Sequence, residues 1–133
     1  MANYKLTHAD LAHFTGTTTW YRHPLKRDVL YTDGIQYLAE QAEAYWLVDE
    51  IAFWLGSPEM RKAVQADERI GEMQFWRLEV AEDESAVLTC CADKGVAPVV
   101  KKPIPWTSFP LRFIDIWASF DGERWVLYLP SEH

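Results

Sequence analysis

The chain has 133 residues, a length that suits one domain able to bury roughly two-thirds of its unfolded surface without staples. Hydrophobic residues make up 49% and charged residues 25%, which excludes a disordered chain, and six glycines and seven prolines exclude collagen-like and low-complexity classes. Thirteen basic against twenty acidic side chains give a formal net charge of -7, which argues against general attraction to phosphate backbones or anionic membranes.

Thr7 followed by Asp10 reads as the N-terminal cap of a short helix that ends near Phe14. Thr17 to Tyr21 is β-branched and aromatic, and reads as a short strand or extended segment. Val29, Leu30 and Tyr31 lead into a second cap at Thr32, and a helix is predicted from about Asp33 to Ala42. The stretch Ala44 to Leu55 is apolar nearly all round, which predicts a buried central helix. Gly56-Ser57-Pro58 stops it and opens a polar surface helix to about Arg69.

After Gly71 the period becomes strand-like. Strands are predicted at Met73–Val80, Ala86–Ala92, Val99–Ile104, Leu111–Phe120 and Trp125–Leu129, with Asp121-Gly122 as a hairpin turn. Pro98, Pro103 and Pro105 mark the third as an edge strand. The expected fold is a single α+β domain, residues 1–133. Residues 1–70 are mainly helical, and 71–133 form an antiparallel meander of about five strands covered on one face by the central helix.

Few residues carry recognisable chemistry. His8 and His13 lie roughly 140° apart on a helix, no HExxH or CxxC is present, and no metal site is expected. There is no Gly-x-Ser-x-Gly elbow and no glycine-rich phosphate loop, so neither a catalytic residue nor a cofactor is assigned. Cys90 and Cys91 are adjacent, and on a strand they point to opposite faces, so they share neither a metal nor a relaxed disulfide. The absence of separated cysteine pairs, of an apolar leader and of a long apolar run fits a cytoplasmic protein without a membrane span.

One constellation stands out. Asp49 and Glu50 interrupt the most apolar helix, and burying carboxylates costs several kcal/mol per ion unless partners are found. Arg22 and His23, beside Tyr21, are the candidate partners. Two readings follow: an ion pair that docks the N-terminal segment on the helix, or a pocket of Tyr21, Arg22, His23, Asp49 and Glu50 with a carboxylate and an imidazole for acid–base work.

Charge is uneven along the chain, with residues 33–93 carrying net -10 between ends of +2 and +1. This is either a solvated face or a surface that presents carboxylates to a basic partner. The candidate contact residues are Glu40, Glu43, Glu59, Asp67, Glu68, Glu82, Asp83 and Glu84, with Trp106, in a proline-flanked loop, as an aromatic anchor.

The segments Phe14-Thr15-Gly16, Trp20-Tyr21-Arg22-His23, Leu30-Tyr31-Thr32-Asp33-Gly34, Tyr45-Trp46-Leu47-x-Asp49-Glu50-Ile51 and Leu129-Pro130-Ser131-Glu132 resemble a family of small uncharacterised bacterial proteins carried on mobile elements such as phages and plasmids. The resemblance spans most of the chain and brings no reaction or cofactor. It implies an accessory protein of the anti-defence type, such as an anti-CRISPR inhibitor. The expectation is therefore a non-enzymatic inhibitor that binds a basic host protein or nucleoprotein complex through an acidic face, without contacting nucleic acid directly. The competing expectation is a small enzyme or ligand-binding module using the pocket above, and a third is a homodimer formed through the sheet face.

Overall fold

The computed structural model describes residues 5–133. The absence of a leader was read partly from residues 1–4, which lie outside the described residues. Helix α1 (His8–Ala12) is closed by a reciprocal cap in which the Asp10 backbone N–H donates to Thr7 Oγ1 and the Thr7 N–H to Asp10 Oδ2. A small hairpin follows, strands β1 (Tyr21–Arg22) and β2 (Val29–Tyr31), and then helices α2 (Asp33–Gln41), α3 (Tyr45–Leu55) and α4 (Pro58–Ala66). A 3-10 turn, Glu68–Gly71, leads into β3 (Met73–Val80), β4 (Ala86–Cys91), β5 (Val100–Ile104), β6 (Phe113–Phe120) and β7 (Trp125–Tyr128).

The α+β class and the five C-terminal strands agree with expectation, but the sheet is not a five-strand meander. Among the described residues it has seven strands, in the order β1-β2-β7-β6-β3-β4-β5. The chain leaves the edge strand β5, crosses over the β3–β4 turn through residues 105–112, and returns as β6 on the far side of β3. The crossing is held where Thr107 N donates to Glu84 O and Val80 N to Arg112 O. Strand β7 then pairs antiparallel with β6 and parallel with β2, which draws the N-terminal hairpin into the same sheet.

Alternation along the strands defines the two faces. Gln74, Trp76 and Leu78, Leu88 and Cys90, Ile114, Ile116 and Ala118, and Trp125 and Leu127 point under the helices and are buried. The buried Gln74 is satisfied: its Nε2 donates to Ile70 O, and its Oε1 accepts from Trp76 Nε1. Helix α3 lies over this face but is buried on one side only. Leu47, Val48, Ile51, Ala52 and Leu55 are inside, while Tyr45 and Phe53 are exposed. The outward aromatics cover polar contacts: Tyr45 Oη donates to Glu40, Trp54 Nε1 donates to Glu50 at 2.8 Å, and Phe53 covers the hairpin. An all-round apolar pattern therefore overstated the burial of this helix. Among the described residues no helix is long and apolar enough to cross a membrane.

Candidate functional site

The residues singled out at the N-terminal hairpin do come together, though not all as a pocket. His23 is 1% exposed. Its Nδ1 accepts from the backbone N–H groups of Leu25 and Lys26, at 3.1 and 2.9 Å. Nε2 must then carry the hydrogen, which it donates to Asp49 Oδ1 at 2.7 Å. Lys26 Nζ lies over the Phe53 ring, and His23 meets the same ring edge-on. The imidazole thus shapes the β1–β2 turn and docks the hairpin on α3, with both nitrogens committed. Arg22 is exposed and makes no ion pair among the described residues, and Glu50 is paired to Trp54. Tyr21 points elsewhere: it stacks on Tyr31 and donates to Asp33 Oδ1.

A second cluster was not foreseen as a unit. The Glu132 carboxylate sits at the N-terminus of α2, accepting from Thr32 Oγ1 at 2.7 Å, Gly34 N at 3.2 Å and Leu129 N at 2.9 Å. Gly34 is needed for this approach, because a Cβ there would stand 2.5 Å from Glu132 Oε1 and 2.8 Å from Leu129 Cδ1. Beside it, Asp33 gathers the 17–21 segment, accepting from Thr18 N and Tyr21 Oη while its own N–H donates to Thr17 Oγ1. Sequence spacing gave no hint that residues about one hundred positions apart would meet.

The backbone N–H of Thr18 above all, aided by the hydroxyls around it, holds the Asp33 carboxyl below the usual carboxylate range. A depressed value means that the ionised form stabilises the fold at every pH above the ordinary value of about 4, and that this contribution is lost as pH falls through the lower folded value. In melting curves recorded between about pH 5 and pH 2, Asp33→Asn is expected to flatten the fall in Tm below about pH 4. An acid limb identical to that of the wild type would remove Asp33 from this role.

The acidic residues do not form one face. Glu43, at the α2–α3 junction, lines a cleft of about 210 Å³ with Trp46, Ile104 and Trp106. The Glu82–Glu84 turn lies beside it, through the Thr107 bond to Glu84. Glu40, at the end of α2, is held by Tyr45. Asp67 and Glu68 lie at the opposite end of β3, about 26 Å away for eight strand residues, and Asp67 is paired with Arg69 at 2.7 Å. Glu59 is exposed on the first turn of α4. Trp106 itself is 62% exposed on a loop pinned by Thr107 and by the buried Phe109.

Among the described residues only Glu43 and Glu84 combine a side chain with a left-handed backbone, at φ 51° and 67°. Both flank the Trp106 loop. Glycine or asparagine is the favoured occupant of such positions.

The face of the sheet turned away from the helices carries Phe75, Arg77, Thr89, Cys91, Phe113, Asp115, Trp117 and Tyr128. Trp117 meets Phe75, Tyr128 and the His133 ring edge-on, forming an aromatic ridge. Arg77 Nη1 donates to both oxygens of Asp115, and its guanidinium lies over the Phe113 ring at 4.3 Å. Burial pushes the Cys91 thiol up, and the half-buried side chain forms part of the wall of this face. Among the described residues no three metal-binding side chains gather anywhere.

A family model described as a family of unknown function (DUF6876) matches residues 5–133, and the chain belongs to that family. No curated protein and no solved structure matches.

Proposed function

We propose that the chain is a non-enzymatic binding protein that docks a basic partner protein at the end of the molecule bearing Trp106, Glu43 and the Glu82–Glu84 turn. The observation that carries this reading is the pair of left-handed glutamates beside an exposed, pinned tryptophan. A residue kept in a strained backbone against its own preference points to a use for its side chain. The carboxylates would steer and orient a basic surface, and Trp106 would supply the buried anchor after docking. The commitment of both His23 nitrogens to the fold weighs against acid–base chemistry at the hairpin. The finer reading, an inhibitor of a host defence complex carried by a mobile element, is supported by the resemblance of the motif segments.

The test compares variants of the immobilised protein in host lysate. A partner band captured by the wild type should be lost with Trp106→Ala, weakened by Glu82, Asp83 and Glu84 reversed together to lysine, and weakened as salt rises. Glu43→Asn and Glu84→Gly should raise Tm, since they relieve the left-handed strain, while weakening capture. Capture that is salt-independent and unchanged in all of these variants would overturn the reading.

A further inference from the structure

A hollow on the open sheet face lies away from the Trp106 end and is independent of the reading above. It is a cavity of about 330 Å³ floored by β3, β4 and β6 and closed at one side by the turn that follows β4. That volume lies at the lower end of the range for small-molecule sites. Phe75 and Trp117 form two of its walls with their rings at 82° and centroids 5.2 Å apart, an angular corner that accepts the face of one flat ring and the edge of another. Their positions are fixed by strand register, Phe75 opposite Trp117 across β3 and β6, so the corner stands on rigid elements.

The lining carries two cations, Arg77 and Lys94, against two carboxylates, Asp93 and Asp115, and the two signs are held differently. Asp115 is consumed by Arg77, whose hydrogen bonds to it use Nη1 alone, leaving the outer edge of the guanidinium. Asp93 turns its Oδ1 back onto the Lys94 backbone N–H at 2.7 Å, which directs that oxygen into the turn. Lys94 is exposed and makes no ion pair among the described residues. In a chain of net charge -7, this hollow therefore offers an unpaired ammonium and spare guanidinium edge beside an aromatic corner. Gly95, at φ 79°, takes the left-handed backbone that the turn at the rim requires.

We propose that this cavity binds a small planar aromatic anion, its ring held in the corner of Phe75 and Trp117 and its acidic group facing Lys94 and the free edge of Arg77. The ring supplies apolar burial, and the acid exchanges water for charge-assisted hydrogen bonds. A free aromatic acid and the C-terminal carboxylate of a peptide ending in an aromatic residue present this chemistry equally.

The full chain, labelled with ¹⁵N, is titrated with 1-naphthoate, with the neutral 1-naphthalenemethanol and with the cationic 1-naphthylmethylamine, and in a separate arm with acetyl-Gly-Phe. Saturable shifts are expected for the Trp117 indole N–H and the Gly95 amide with the acids, weaker with the alcohol and absent with the amine. Naphthoate should also slow maleimide alkylation of Cys91, the accessible member of the cysteine pair. Lys94→Ala, a surface change that leaves the sheet intact, should weaken naphthoate about tenfold and abolish its advantage over the alcohol. Lys62→Ala, exposed on α4 and absent from the cavity lining, should leave it unchanged. The tighter of the two acids identifies the source of the ligand. Failure of both acids to saturate, equal binding of alcohol or amine, or an unchanged affinity in Lys94→Ala would each overturn the proposal.

Discussion

His23→Ala is expected to lower the unfolding free energy by about 3 kcal/mol. The imidazole is 1% exposed and satisfies two backbone donors, so truncation leaves a void and two N–H groups without their acceptor. His23→Asn separates the two roles of the ring. Its Oδ1 can take the place of Nδ1 in the turn, as asparagine does in an Asx-turn, while the contact with Asp49 is lost. The asparagine variant should therefore recover part of the loss in urea denaturation, and Asp49→Asn, which keeps an acceptor for Nε2–H, should be milder than Asp49→Ala. An asparagine variant no more stable than the alanine one would show that the turn does not depend on the Nδ1 acceptor. That outcome would return His23 to the list of candidate chemical groups.

The second large effect is expected at the corner where Glu132 caps α2. Glu132→Ala removes the acceptor for Thr32, Gly34 and Leu129 and should cost about 2–3 kcal/mol. Gly34→Ala drives a methyl group into the same carboxylate and into Leu129, a form of overpacking worth about 1–3 kcal/mol. Because both changes break the same contact, they should not add. The double variant should be more stable than the sum of the single losses predicts, measured as a coupling energy in denaturant titrations. Strict additivity would mean that the cap and the glycine act independently.

Much of the local structure was legible because it is written in local chemistry. The Thr7 and Thr32 caps, the proline-led start of α4 and the strict alternation of Met73–Val80 each depend on residues within a few positions. What was not legible depends on residues far apart. Nothing in Val29–Tyr31 announces a parallel neighbour in Trp125–Tyr128, and a three-residue strand is too short for its pattern to declare itself. Tyr45 and Phe53 read as core because hydropathy does not distinguish an aromatic that fills the interior from one that roofs a polar contact. The same limit applies to the candidate sites. Asp49 and His23 could be paired from the cost of burying charge, yet the Asp49 side chain is 53% exposed and the buried partner is His23, and the part played by the two turn amides depends on which ring nitrogen faces inward. The scatter of the acidic residues to opposite ends of β3 follows from topology, and a count of charge along the chain is blind to it. The aromatic corner of Phe75 and Trp117 was hidden for a related reason, since the crossover that sets β6 beside β3 creates it.

The place of β7 between β2 and β6 also governs how the molecule can be assembled. A nascent chain emerging from the ribosome presents the hairpin, four helices and four further strands before Trp125 has been made. The hairpin has no sheet to join until that strand arrives, so the N-terminal third must wait, with Val29 and Leu30 uncovered, for the last segment described. Closure through contacts about one hundred residues apart gives the fold a high contact order and a slow final step. During that interval the apolar faces of the hairpin and of β6 are exposed together, the condition under which partly folded chains associate.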